Sequence, residues 1–223
     1  FLGQGPARLD NGDINPLATG VLLSNATIGL IRDESSGTAK YAVSAIGTIS
    51  LIGVAGVEIS GTAQVRYNDT GTNVDTLLPI GVDSDVVVRV DNGVTEFGGT
   101  DIAINVFGQQ LRGDFSFNKQ GTGVDQIITV TAQNVSADFG NGAVTLSNGT
   151  GDFVISAAGI GALVSGTVSL AAPGVSFGSD LALKLNSTGA ANAELSLQAG
   201  PYFRLEADNL DLTIAGQTLR GNF

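Results

Sequence analysis

The chain has 223 residues, 32 of them Gly, with 14% charged and 6% aromatic residues and a mean hydropathy of +0.26, a composition that excludes a charged disordered polypeptide and disfavours a helix-rich one. It contains no Cys and no His, which removes disulfides, thiol chemistry, the usual zinc ligands and the usual general base, so the expectation is a non-enzyme. A net charge of −11 opposes nucleic acid and anionic lipid as partners.

Residues 1–20 read as a lead-in or linker. Gly3, Gly5, Pro6, Gly12 and Pro16 surround the polar run Asp10-Asn11-Gly12-Asp13-Ile14-Asn15, which is turn chemistry. From there the chain is a duplication. The stretch from Gly56 to Gly71, ending Asn68-Asp69-Thr70-Gly71, returns as Gly174 to Gly189, ending Asn186-Ser187-Thr188-Gly189. A second phrase, Gly108-Gln109-Gln110-Leu111-Arg112-Gly113-Asp114-Phe115, returns as Gly216-Gln217-Thr218-Leu219-Arg220-Gly221-Asn222-Phe223. Gly108 and Gly216 are 108 residues apart, whereas Asn68 and Asn186 are 118 apart, so the connections differ in length. The extra residues are expected at Thr72 to Asp91 in copy one and around Ala157 to Ala172 in copy two.

Period-two alternation at Ile102, Ile104 and Val106, at Leu181, Leu183 and Leu185, at Leu195 and Leu197, and at Leu210, Leu212 and Ile214 predicts half-buried antiparallel strands. No window carries a helical period. Turn signals recur at Asp91-Asn92-Gly93, Gly98-Gly99, Asn118 to Gly123, Gly140-Asn141-Gly142 and Asn148 to Gly151. The stretch from Phe153 to Ser179 lacks charge and is long enough to span a bilayer as a helix, but Pro173 and its glycines read as short strands broken by turns, so no membrane span is expected. The fold expected is all-β. Two tandem repeats of about 108 residues, at residues 21–123 and 124–223, would form an elongated antiparallel β-rich stack, solenoid-like or a sandwich. Copy two stops within its matched phrase at Phe223, which suggests a segment of a longer tandem array.

Candidate sites are few. Calcium is the one cofactor the acidic residues would admit, at Asp10, Asp13 and Asn15 in the lead-in and Asp83, Asp85 and Asp91 in the copy-one insertion; neither cluster has EF-hand spacing, and solvated turn carboxylates are the simpler reading. Asp69-Thr70-Gly71 spells the aspartic-protease tripeptide, but its counterpart carries Ser187, so it reads as a turn. Arg112-Gly113-Asp114 spells an integrin-recognition tripeptide, yet it sits inside a strand phrase, where a bend at Gly113 accounts for it. Five Asn-x-Ser/Thr sequons, at Asn25, Asn68, Asn134, Asn148 and Asn186, mark turns first. No catalytic constellation is present.

Three phrases, Leu111 to Phe117, Gly200-Pro201-Tyr202-Phe203-Arg204-Leu205 and Gly174 to Leu183, resemble the β-strand tandem repeats of very large bacterial surface and adhesin-like proteins, including those that carry an N-terminal LEPR-XLL segment. The resemblance implies an extracellular or cell-surface location and a structural or adhesin repeat module whose partners are neighbouring repeats or copies of itself. A self-assembling filament or surface-layer subunit is a second expectation. A carbohydrate-binding β module is a third, with Tyr67, Tyr202 and Phe203 as its only aromatic platform and surface glycans as its ligands.

Overall fold

A computed structural model describes the chain except at residues 80–84, 122–125, 171–174, 178–179, 208–209 and 223. The described residues form an all-β, antiparallel structure. The lead-in supplies β1 (Leu2–Gln4) and the start of β2 (Thr19–Asp33), and copy one the rest of β2 with β3 (Lys40–Ile52), β4 (Val57–Asn68), β5 (Val74–Pro79), β6 (Asp85–Val90), β7 (Thr95–Val106) and β8 (Gln109–Gln120). Copy two supplies β9 (Ile127–Phe139), β10 (Val144–Ser156), β11 (Gly159–Leu170), β12 (Val175–Phe177), β13 (Asp180–Asn186), β14 (Tyr202–Glu206), β15 (Leu210–Ile214) and β16 (Gln217–Gly221). Eleven strands join into one sheet in the order β1-β2-β3-β4-β7-β8-β9-β10-β11-β13-β14, with β12-β15-β16 and β5-β6 as small separate sheets. The two copies are therefore halves of one sheet, joined where β8 pairs with β9. Part of the expected boundary at 123/124 lies outside the described residues. Within the lead-in, Leu2–Gln4 pairs with Thr19–Val21 and is a strand.

The duplication is reproduced in the pairing register. Leu30↔Val43 recurs as Phe153↔Ala162, Val43↔Tyr67 as Ala162↔Leu185, and Val65↔Phe97 as Leu183↔Leu205. The hairpin Ile104↔Leu111 recurs as Leu212↔Leu219. Its turn residues, Phe107-Gly108 and Ala215-Gly216, all have positive φ, the tight hairpin geometry that the repeated glycine permits. The counterparts of β4 and β7 in copy two are β12 with β13 and β14 with β15, between which residues 178–179 and 208–209 lie outside the described residues.

Several expectations need correction. The turn signals at Gly98-Gly99 and Asn148 to Gly151 lie inside β7 and β10, and the sequons at Asn25, Asn134 and Asn148 lie inside β2, β9 and β10, because they mark irregularities within strands and not chain reversals. The residues around Ala157 to Ala172 are not extra: most of them form β11, the counterpart of β3 in the same register. The length difference arises after the Asn turns, where copy one inserts the β5-β6 hairpin. Leu195 and Leu197 lie outside the named strands, in a tight turn closed by an Asn192↔Leu197 bridge. They nevertheless do what that hairpin does. Val88 and Val90 of β6 cover Ala42 of β3, and Leu195 and Leu197 cover Val154 of β10, so each insert shields the outer face of its own copy.

The sheet curls because a line of bulges and small residues crosses it. Asn25, Asp101, Asn134 and Asn148 sit at strand irregularities with φ near +50°, a conformation that Asn and Asp tolerate best among residues with a side chain. Beside them a Cβ on Gly99 would lie 2.4 Å from the Thr62 carbonyl oxygen, and one on Gly113 2.9 Å from that of Gln133. Close strand approach thus requires glycine there. Curling brings β1 against β8 and β9, and β2 against β10, and encloses a core in which Phe115 meets Phe153 edge-on at 5.6 Å.

Candidate functional site

Asn68 and Asn186 end β4 and β13 and are fully buried. Burial of a primary amide is tolerable only when its polar atoms are satisfied. Asn68 Nδ2 donates to the carbonyls of Thr72 (2.9 Å) and Val90 (2.8 Å), while Oδ1 accepts the Thr70 N–H (3.0 Å) and hydroxyl (2.8 Å). Asn186 repeats the set: Nδ2 donates to Ala190 and Gln198 carbonyls, both at 2.8 Å, and Oδ1 accepts the Thr188 N–H (2.9 Å) and hydroxyl (2.8 Å). Each Asn pins its insert to the sheet. The Asp-Thr-Gly tripeptide is therefore a turn organised by the preceding Asn. Asp69 accepts the Tyr41 N–H at 2.5 Å, a bond that holds its carboxyl below the ordinary value, and its contact with the Tyr67 hydroxyl raises that phenol's pKa. The sequons at Asn68 and Asn186 are enclosed by these bonds.

Arg112-Gly113-Asp114 lies in the middle of β8 and clamps the bend. Arg112 Nη1 donates to Asp101 Oδ1 at 3.0 Å. The Asp114 carboxylate accepts the Asp101 N–H (3.3 Å) and Asn134 Nδ2 (2.7 Å), so one side chain ties together the bulges of β7 and β9. Gly113 between them is the bend the sequence indicated.

Among the described residues the calcium candidates lie in the lead-in turns and at the two ends of β6. Asn11 Nδ2 donates to Asp13 at 2.7 Å within a local turn. Asn15 is buried and occupied, donating to the Pro6 carbonyl (2.9 Å) and accepting the Leu17 N–H (3.0 Å). Asp85 and Asp91 stand at opposite ends of β6, and Asp83 lies outside the described residues. Among the described residues no group of three acidic side chains converges on a metal position. Nor do the aromatics form one platform. Tyr202 stacks on the Arg204 guanidinium at 4.3 Å, whereas the next residue, Phe203, points to the other face and packs on Phe139 at 5.4 Å.

No family model, curated protein or solved structure matches the chain. Its own duplication is then the available comparison, and it exposes a site that alternation alone does not reveal. At one end of copy one the curled sheet opens into a cleft of about 700 Å³ lined by Leu23, Val43, Ala45, Val65, Phe97 and Phe117, with Thr95 and Lys119 at its rim. Copy two closes the corresponding space. Phe139 and Phe203 stack where copy one has Leu2 and Thr95, as the shared register places them. The contrast in exposure is large: Leu30 is 55% exposed, whereas its counterpart Phe153 is 1% exposed. The opposite end shows the converse, with Leu219 54% exposed and its counterpart Leu111 at 0%. The signal was present in the sequence as apolar residues at matched positions, but only the register shows that one member of each pair lacks cover.

A trough of about 520 Å³ adjoins the cleft at Ser116 and the Arg66–Glu96 ion pair (3.1 Å), which line both, and is lined further by Gln64, Thr100, Thr131 and Gln133. Among the described residues no helix is long and apolar enough to cross a membrane.

Proposed function

We propose that the chain is an extracellular structural or adhesin-type repeat module of a bacterial surface protein, without catalysis, whose units extend a longer β structure. The observation that carries the reading is the union of the two copies in a single sheet with a shared register, through the β8-β9 pairing. A unit that joins its successor by edge pairing can be repeated, and its length then scales with copy number. The resemblance of Leu111 to Phe117 and of residues 174–183 to surface-protein tandem repeats supports the same location and role. The test is the intact mass of the native polypeptide. A mass several times the 22.5 kDa of this chain is the expected result, and a mass near that value would refute the array.

A second reading is a self-assembling filament subunit, favoured by Ile214 and Leu219, which stand exposed where their counterparts Val106 and Leu111 are buried. Exposed apolar positions beside an open edge invite pairing between chains. Sedimentation of the isolated chain separates the two: polymers at micromolar concentration support the filament, and a monomer supports the covalent array.

A further inference from the structure

In copy two, β10 is flanked by β9 on one side and β11 on the other. Its counterpart β2 is flanked by β3 on one side, but on the other β1 covers only Thr19–Val21. Among the described residues no strand pairs with this edge of β2 from Leu22 to Asp33. The apolar cleft lies directly beside it, and Ile28 and Leu30 of β2 are 60% and 55% exposed.

We infer that the free edge of β2 is a strand-receptor site, and that its occupant is an incoming strand of a neighbouring repeat with the β9 pattern. The inference rests on the repeat-module reading and specifies how one unit engages the next. Copy two supplies the template. There β9 lies antiparallel to β10 with Val130 opposite Phe153 and Ala132 opposite Gly151, and turns Ile128, Val130, Ala132 and Val135 into the core. Transferred by register onto copy one, Val130 of the incoming strand falls opposite Leu30 and Ala132 opposite Ile28. Leu30 is thus flanked by Val130 as its counterpart Phe153 already is, and Ile28, whose counterpart is Gly151, is flanked by Ala132. Backbone hydrogen bonds supply the attachment, and alternate apolar side chains supply the register. The Asn25 bulge in β2 matches the Asn148 bulge in β10, so the receiving edge has the curvature that β9 follows in copy two.

The test is direct on the isolated chain. A fluorescein-labelled peptide of Ile127–Ala137, which stops short of the place that Leu2 of β1 holds beside Val21, is titrated by anisotropy, and amide hydrogen exchange is compared with and without it. The expected result is saturable binding of one peptide per chain, with new protection over residues 22–33. A peptide carrying Val130→Pro, which cannot complete the ladder, should bind roughly tenfold more weakly or worse. Leu30→Asp in the chain, at an exposed position that leaves the fold intact, should weaken binding similarly. Absence of saturable binding, equal binding of the proline peptide, or protection at β14 and β16 alone would overturn the inference. So would an apolar dye bound in the cleft that the peptide fails to displace, which would assign the cleft to a small apolar ligand. A native mass near 22.5 kDa would defeat the array while leaving peptide capture standing, whereas failed capture would defeat the receptor edge while leaving a covalent array standing.

Discussion

Replacing Asn68 by Ala removes four hydrogen bonds from a fully buried position. Each is worth about 1 kcal/mol net, and the partners left without one carry a further desolvation cost. The two carbonyls of Thr72 and Val90 lose their donor, while the Thr70 hydroxyl can turn to other acceptors, so the expected loss is about 3–5 kcal/mol. That is a large share of the roughly 5–15 kcal/mol that holds a domain folded. For a chain of this length it lowers the melting temperature by roughly 6–20 °C. Asn186→Ala should cost a similar amount, because its four bonds repeat those of Asn68 within 0.1 Å. Calorimetry and urea unfolding measure both, with the exposed Asn11→Ala as a control expected to change stability by less than about 1 kcal/mol. One sheet runs through both copies, so each variant should still melt in a single transition. Losses below about 1 kcal/mol for both buried variants would refute the assignment of these amides as the pins of the two inserts.

The Asp69 carboxyl is held below its ordinary value by the Tyr41 N–H, so its stabilisation is complete above its unfolded value, about pH 4, and is lost as pH falls through the lower folded value. Asp69→Asn should flatten that part of the pH–stability curve, and an NMR titration placing the carboxyl at or above the ordinary value would contradict the bond. Gly113→Ala forces a Cβ against the backbone of Gln133 and Val135 and should cost about 1–3 kcal/mol; Gly189→Ala, with nothing within 4 Å, should be neutral or slightly stabilising, and equal urea midpoints for the two would refute the bend argument. Asp114→Ala should destabilise more than Arg112→Ala, since Asp114 joins two bulges, whereas the Arg112–Asp101 pair is an exposed ion pair worth about 0–1 kcal/mol; the reverse order in thermal melts would refute the clamp.

Much of the architecture could be read from residue order alone. Alternation at Ile102 to Val106 and Leu181 to Leu185 identified strands because one face of each meets solvent and the other a core. The repeated Asn-x-Thr-Gly phrase marked turns, and the bend at Gly113 followed from a glycine inside a strand phrase. Leu195 and Leu197 misled because a tight turn that presents two leucines to one patch has the same spacing as a strand. The merging of two copies into one sheet was not readable, since it depends on β8 meeting β9 rather than its own repeat partner. The buried pins were half visible: the sequence showed that Asn68 and Asn186 recur, but not that the recurring atom is the amide and that Asp69 is incidental.

Duplication usually reads as redundancy, but here the copies are unequal in a directed way. Copy one lacks cover at Ile28, Leu30 and the cleft beside them, where copy two is closed by β9 and by Phe139 against Phe203. Copy two lacks cover at Ile214 and Leu219, where copy one is closed by the junction with β9. Two open ends of a unit, each the counterpart of a surface buried at the internal junction, are heterologous rather than self-complementary. Under the proposed repeat-module reading such ends would join head to tail. Open apolar surface beside a free sheet edge is otherwise a liability; under the proposed repeat-module reading, Leu30 and Leu219 would be covered by further contacts of the kind that bury their counterparts Phe153 and Leu111 within this chain.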